Sequence, residues 1–379
     1  MGRIFGRIAD YIRECDKIML LLCVTSSLFG CFAVLSATRY TGSLGDFKTQ
    51  LFSMFLGVSA AIFISLFDFS TLLKYWYLAA AIGFIPVILT FFIGFAPAGT
   101  DDKAWLMIFG ISFQPSELLK MMFLITFAAH LNAVKDTINS PRSLIPLLLH
   151  GFAPAALIHF QGDDGTALVF ALMALGMLCA AGLHYWYLVA AGSAAVVASP
   201  FVYFFVMNDD QRSRIMSIFD LTADIQGAGY QQYRGRVALA NGGFFGQGYL
   251  NGELTQIGGV PEGYNDFIFA SIGEELGFLG CVAVLVLLCA IALRALAVGK
   301  SCYKKSGSFM CVGFFTMMLA HIIINVGMNI SLLPVIGITL PFFSAGGTSL
   351  LCMFGCVGIM LSVYSHRNSR TIYLRDNNK

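Results

Sequence analysis

Three carboxylates enter one apolar stretch in the run VPEGYNDFIFASIGEELGF over 260–278: Asp266 at its threshold, and Glu274 and Glu275 two turns further on. A carboxylate where water gives way to hydrocarbon is suited to general-base work. Burial and neighbouring negative charge, here expected from Glu274 and Glu275, raise its pKa toward neutrality and let it take a proton from a hydroxyl. The competing reading of Asp266 is a helix N-cap, where aspartate is favoured and the helix terminus stabilises its charge. Glu117 and Lys120 form a second constellation, at i and i+3 in FQPSELLK, on one helix face. Ionisable groups inside a membrane are costly and mark function by default, although a purely structural ion pair explains the spacing as well. Arg212, Arg214, Arg234 and Arg236 gather in a polar interval. Guanidinium groups clamp phosphate oxygens, and pairing with Asp209, Asp210, Asp220 and Asp224 is the alternative. The glycine-rich run GGFFGQGYLNG over 242–252 follows no strand, so it reads as a flexible loop over the membrane surface rather than a dinucleotide cradle. The six histidines lack metal-ligand spacing and read as packing or interfacial residues, and the ten cysteines include no C-x-x-C.

The elements that must position these groups are membrane helices. Of 379 residues 58% are hydrophobic and 12% charged, with mean hydropathy +0.77, where a soluble domain carries about 25% charged residues. Continuous apolar runs select helices over a closed barrel. Ten spans are expected, at roughly 17–37, 47–67, 72–95, 115–132, 143–159, 166–182, 184–207, 267–298, 307–330 and 341–364. The expected architecture is all-α: one integral membrane domain over 1–379, interrupted by a large outer loop at about 208–266. Residues 1–17 alternate Arg3, Arg7 and Lys17 with Ile4, Phe5, Ile8 and Ile12, as an interfacial helix or a basic flank would. The run from Ile18 to Ala37 is too long for a cleaved signal peptide. With the N-terminus inside, fifteen of the 23 lysines and arginines fall on the inner face and seven outside, with Lys120 inside a span. The positive-inside rule therefore places both termini in the cytoplasm. The polar motifs all open outward, where ATP is absent, so any synthesis there draws on a substrate that arrives activated, such as a lipid-linked pyrophosphate.

Taken together, QPSELLK (114–120), GDDGT (162–166), GYQ (229–231), ANGGFFGQGYLNG (240–252), VPEGYNDFIFASIGEELGFLG and NVGMNISLLPVIGITLPFFSAGGTSLL (325–351) resemble the SEDS family of shape, elongation, division and sporulation proteins, represented by RodA and FtsW. The resemblance covers essentially the whole chain. It implies a ten-helix peptidoglycan glycosyltransferase of the bacterial cytoplasmic membrane that polymerises lipid II at the outer boundary beside a class B penicillin-binding protein, with no role for nucleic acid. The family's essential aspartate corresponds to Asp266. Its Q-P-S-E-x-x-K motif corresponds to Gln114, Pro115, Ser116, Glu117 and Lys120, a further aspartate to Asp163, and loop positions to Tyr230, Gln231, Gly242 and Gly243. Asn265 stands where the family usually has threonine, Gly162 replaces a proline, Arg234-Gly235 replaces Gln-Ser, and Ala104 replaces a common arginine. The wording GYLNGELTQ is nearer RodA than FtsW.

The reaction so implied is attack by the 4-hydroxyl of a lipid II GlcNAc on the anomeric carbon of the growing chain's MurNAc, with inversion. Asp266 takes the proton; Arg214, Arg236 and Lys120, or a divalent cation (Mg or Mn) held by an acidic residue, stabilise the departing pyrophosphate. Two other functions remain as alternatives: a flippase for lipid-linked precursor, which would place its ionisable groups near the midplane in paired repeats, and a non-catalytic scaffold for division or elongation partners.

Overall fold

The computed structural model describes residues 15–96, 102–108, 110–219 and 227–367. The amphipathic expectation for residues 1–17 therefore lies outside the described residues except at its end, as do Asp220 and Asp224. In chain order the helices are α1 (Lys17–Ala37), α2 (Gly45–Ser65), α3 (Phe69–Lys74), α4 (Trp76–Ile93), α5 (Pro115–Val134), α6 (Pro141–His159), α7 (Asp164–Ala180), α8 (Tyr185–Phe201), α9 (Asp209–Phe219), α10 (Ala228–Gly242), α11 (Ile268–Ser301), α12 (Lys305–Asn329) and α13 (Gly347–Ser365). A small antiparallel hairpin, β1 (Leu106–Ile108) with β2 (Ile111–Phe113), separates α4 from α5. Among the described residues nine helices are long and apolar enough to cross a membrane, and α7 is a shorter apolar tenth. The chain is a multi-pass, all-α membrane protein. Each of the ten expected spans falls on one of these helices.

Helix pairs α2/α13, α11/α12, α4/α5 and α6/α7 pack side by side, and α13, α12 and α5 sit deepest, with most of their side chains inside the bundle. At the other extreme α8 buries none of its residues, which suits a helix bathed in lipid.

Three departures from the expected layout bear on function. The last span was expected from residue 341, because Pro341-Phe-Phe continues an apolar run; α13 begins only at Gly347. The intervening residues turn instead, with Phe342 at φ 67°. They are tied to the chain ahead of α11: Ser344 Oγ donates to Asn265 O (2.7 Å), and Ala345 N donates to Tyr264 O (2.8 Å). The interval 208–266 is also not a plain loop, since it contains α9 and α10. Gln211 Nε2 on α9 donates to Asp164 Oδ2 at the start of α7 (2.6 Å), which docks the segment onto the bundle.

The third departure is the glycine-rich run, which is packed rather than free. In a regular helix Phe278 and Leu279 would donate to the carbonyls of Glu274 and Glu275. Gly277, at φ 67° and ψ −163°, breaks α11 there. Phe278 N donates to Gly243 O (2.9 Å) and Leu279 N to Phe244 O (3.3 Å), while Gln247 N and Gly248 N donate to the freed carbonyls of Glu274 (3.0 Å) and Glu275 (2.9 Å). The two amides and two carbonyls that the break parts all keep partners, as hydrocarbon requires. The exchange needs close approach: a Cβ on Gly242 would overlap the Gly273 carbonyl, and one on Gly246 the Glu275 carbonyl.

Candidate active site

Asp266 lies in the turn that leads into α11. Glu262, held at φ 51°, opens that turn, and its carbonyl accepts from Asn265 N (3.0 Å) and Phe267 N (3.0 Å). The N-cap position of α11 is Phe267, not Asp266, and its side chain makes no cap. Capping comes instead from another helix: Asn329 Oδ1 on α12 accepts from Ala270 N (3.1 Å). The same asparagine, through Nδ2, donates to the Asp266 carbonyl (3.0 Å), and so does Asn325 Nδ2 (2.9 Å). The backbone of Asp266 is thus pinned. Its carboxylate accepts no hydrogen bond among the described residues, and a Cβ on Gly337 would stand 3.7 Å from Asp266 Oδ2. Burial, followed by the negative charges of Glu262 and Asp163, raises the Asp266 carboxyl to about 7.

The neighbours are not those expected. Glu274 receives Leu254 N (2.9 Å), Thr255 N (2.8 Å) and Thr255 Oγ1 (2.6 Å), and Glu275 receives Ser36 Oγ (2.6 Å) and Gln256 Nε2 (2.8 Å). Both glutamates are committed to fastening the 252–256 turn and α1 against α11. Glu262 and Asp163 take their place beside Asp266.

Glu117 and Lys120 form the expected pair, 2.8 Å apart and both buried. Lys120 Nζ has a second partner 3.2 Å away, His321 Nε2 on α12. His321 Nδ1 lies 2.9 Å from Thr339 O. A carbonyl only accepts, so Nδ1 carries the proton and Nε2 presents its lone pair to the ammonium. His321 is therefore part of the polar chain and not a packing residue. Asp163 caps α7, accepting from Thr166 N (2.9 Å), and its other oxygen accepts from Gln114 Nε2 (3.1 Å). Burial raises the Asp163 carboxyl, against the lowering effects of Thr166 and Lys120.

The stretch 335–339 runs past all of these groups. Arg214 Nη1 of α9 donates to Val335 O (3.5 Å), Gly337 faces the Asp266 carboxylate, Asn325 Nδ2 donates to Ile338 O (2.7 Å), and Thr339 O receives His321. This ribbon therefore carries the anchor of Arg214 on one side of the Asp266 carboxylate and that of His321, which holds Lys120, on the other.

Over residues 13–369 the chain matches the family described as "Cell cycle protein", FtsW/RodA/SpoVE. The chain belongs to the FtsW/RodA/SpoVE family. It is 33% identical over 274 residues to the protein named peptidoglycan glycosyltransferase MrdB of Escherichia coli K12, covering 72% of this chain and 74% of that one. To the probable peptidoglycan glycosyltransferase FtsW of Geobacter metallireducens it is 30% identical over 368 residues, covering 93% and 95%. Its fold is similar to a chain in the structure described as "Structural coordination of polymerization and crosslinking by a peptidoglycan synthase complex", with TM-score 0.81, 23% identity, and coverage of 93% of this chain and 98% of the other.

The remaining expected site residues of this FtsW/RodA/SpoVE protein are placed unevenly. Arg236 is exposed on α10, and among the described residues it forms no ion pair with a carboxylate. Arg212 pairs with Asp209 (3.2 Å) and donates to the Tyr203 and Phe204 carbonyls, so for that arginine the structural reading holds. Arg234 donates to Gly259 O (2.6 Å) beside the exposed ring of Tyr230. Ser116 is buried, and its hydroxyl has no hydrogen-bond partner among the described residues. Gln231 is half-buried, whereas its neighbour Gln232 is the one locked inward, donating to Leu333 O (2.7 Å). No three His, Cys, Asp or Glu among the described residues are grouped as an all-protein set of ligands for a metal ion. Sequence reasoning missed His321, Asn325 and Asn329. Their signal was available: polar residues at i, i+4 and i+8 on the apolar helix α12, one face of a 3.6-residue period.

Proposed function

We propose that this chain is a peptidoglycan glycosyltransferase that polymerises lipid II at the outer face of the bacterial cytoplasmic membrane, with both termini cytoplasmic and a class B penicillin-binding protein as its partner. The observation that carries the reading is the Asp266 carboxylate: pinned by its backbone, unclaimed as a helix cap, and raised to about 7 by burial and by Glu262 and Asp163. A group so tuned accepts a proton near neutral pH and assists by about 10²–10⁴-fold.

The acceptor hydroxyl gives its proton to Asp266 as its oxygen bonds to the anomeric carbon of the donor sugar. The bond from that carbon to the pyrophosphate oxygen breaks on the opposite face, and the electron pair leaves with the lipid pyrophosphate. Positive charge lies to both sides of the base. An ammonium has three donors; Lys120 directs one to Glu117 and one to His321, leaving a third for the leaving group. Among the described residues the Arg214 guanidinium is held through one long bond, to Val335 O, which leaves its other donors to turn toward phosphate. Arg236, exposed on the same polar segment, serves substrate approach. The partner assignment is supported by the peptidoglycan synthase complex among the structural neighbours.

Purified protein with its transpeptidase partner, supplied with lipid II, tests the reading. Polymer forms with the parent. Asp266→Asn makes none and, relieved of a buried charge, melts at least as high as the parent at pH 8. Polymer from Asp266→Asn at a near-parental rate refutes the role of Asp266.

A further inference from the structure

Helix α12 spans the membrane, yet buries His321, Asn325 and Asn329 on one stripe, each almost wholly inaccessible. A side-chain amide in such a place destabilises unless all its donors and acceptors are used. All are used, and their targets are specific. Asn325 Nδ2 donates to Asp266 O (2.9 Å) and Ile338 O (2.7 Å). Asn329 Nδ2 donates to Asp266 O (3.0 Å) and Asn325 O (2.9 Å), while its Oδ1 accepts from Ala270 N (3.1 Å). The peptide carbonyl of Asp266 thereby fills both lone pairs with α12 amides, and among the described residues no α12 side chain hydrogen-bonds the carboxylate. One turn toward the other end of the stripe, His321 holds Lys120 Nζ and Thr339 O.

We propose that Asn325 and Asn329 are positioning residues: they fix the backbone of Asp266 so that its carboxylate projects in one direction, at a set distance from Lys120. The proposal rests on Asp266 as the base. Eight residues of helix separate His321 from Asn329, about 12 Å of rigid rise. One element therefore registers the base in the turn ahead of α11, the cation on α5 and the 335–339 ribbon between them. A stripe serving stability alone would have no reason to converge on residue 266. Freeing that residue lets the carboxylate drift, and a drift of about 1 Å costs on the order of 10²-fold in turnover without weakening substrate binding.

Two variants separate positioning from structural support. Asn329→Asp keeps an acceptor for Ala270 N, and so keeps the α11 cap, but removes the donor to Asp266 O. Asn325→Ala removes the other donor and leaves Asn329 and the cap in place, so the inference stays testable if Asn329→Asp does not fold. With lipid II titrated against each folded variant, the expected result is a fall in kcat of about tenfold or more, with KM within about threefold of the parent. A kcat within about twofold of the parent, or a loss confined to KM, overturns the positioning role. Asp266→Asn is assayed alongside. An inactive Asp266→Asn beside fully active asparagine variants refutes positioning and leaves the base intact, whereas an active Asp266→Asn refutes the base whatever the asparagines do.

Discussion

Glu262→Gln isolates the electrostatic contribution of one neighbour to the base. Glutamine has the same shape and keeps an oxygen to accept from Asn265 Nδ2, the one side-chain bond that Glu262 makes among the described residues (2.8 Å). The turn therefore persists while the charge is lost. Asp266 is raised from 3.8 to about 7, with burial the largest cause and Glu262 the second. A second-ranked cause supplies at most half of that rise, so removing Glu262 lowers the midpoint by about one unit, or ~1.4 kcal/mol. The sign is downward, because a negative neighbour disfavours the ionised form. If only the carboxylate form is active, about 9% of the parent is competent at pH 6, against about 50% of a variant whose midpoint is near 6. At pH 8 the two differ by only about a tenth. The assay is the initial rate of polymer formation from lipid II held well below KM between pH 5.5 and 8.5, which reports the free enzyme's base, each enzyme normalised to its own plateau. Parent activity rises with pH to a midpoint near 7, and the variant's normalised rate at pH 6 exceeds the parent's about fivefold. An unmoved or raised midpoint refutes the coupling of Glu262 to the catalytic proton.

Two further outcomes follow from the geometry. Glu117→Ala and Lys120→Ala each abolish most polymerisation, and the double variant is little worse than either, because a single deletion already strands a buried charge; additive losses measured in the same polymer assay would show two independent roles. Gly277→Ala places a side chain at φ 67° against the backbone of Phe244 and Gly246, and destabilises the protein by about 2 kcal/mol or more, seen as a lowered melting temperature in detergent.

Hydropathy made the ten spans legible because a membrane helix writes its length directly into the chain. It misplaced the start of α13 for the same reason: Pro341-Phe-Phe is as apolar as a span, and nothing in its composition records that Phe342 turns the backbone. Asp266 was legible as a boundary carboxylate, but its choice between cap and base was not. That choice is made by Asn329, 63 residues away, which takes over the capping. Glu274 and Glu275 looked like its neighbours because they share its helix; the break at Gly277 and the turn at 252–256 claim them instead. Asp163 and Glu262 became neighbours through packing of α7 and through a turn with an unusual φ, neither of which spacing encodes.

The exchanged hydrogen bonds at Gly277 also bear on how the chain is built into a bilayer. Before the glycine-rich run docks, Phe278 and Leu279 have the Glu274 and Glu275 carbonyls within their own helix as partners, so the span is able to enter the lipid as an unbroken rod with nothing exposed. Docking then trades those two local bonds for four that cross between segments 243–248 and 274–279. At no stage does a backbone group stand bare in hydrocarbon, which would cost several kcal/mol. The bent shape of α11 thus depends on segment 243–248: without it, Phe278 and Leu279 would return to the Glu274 and Glu275 carbonyls of an unbroken helix.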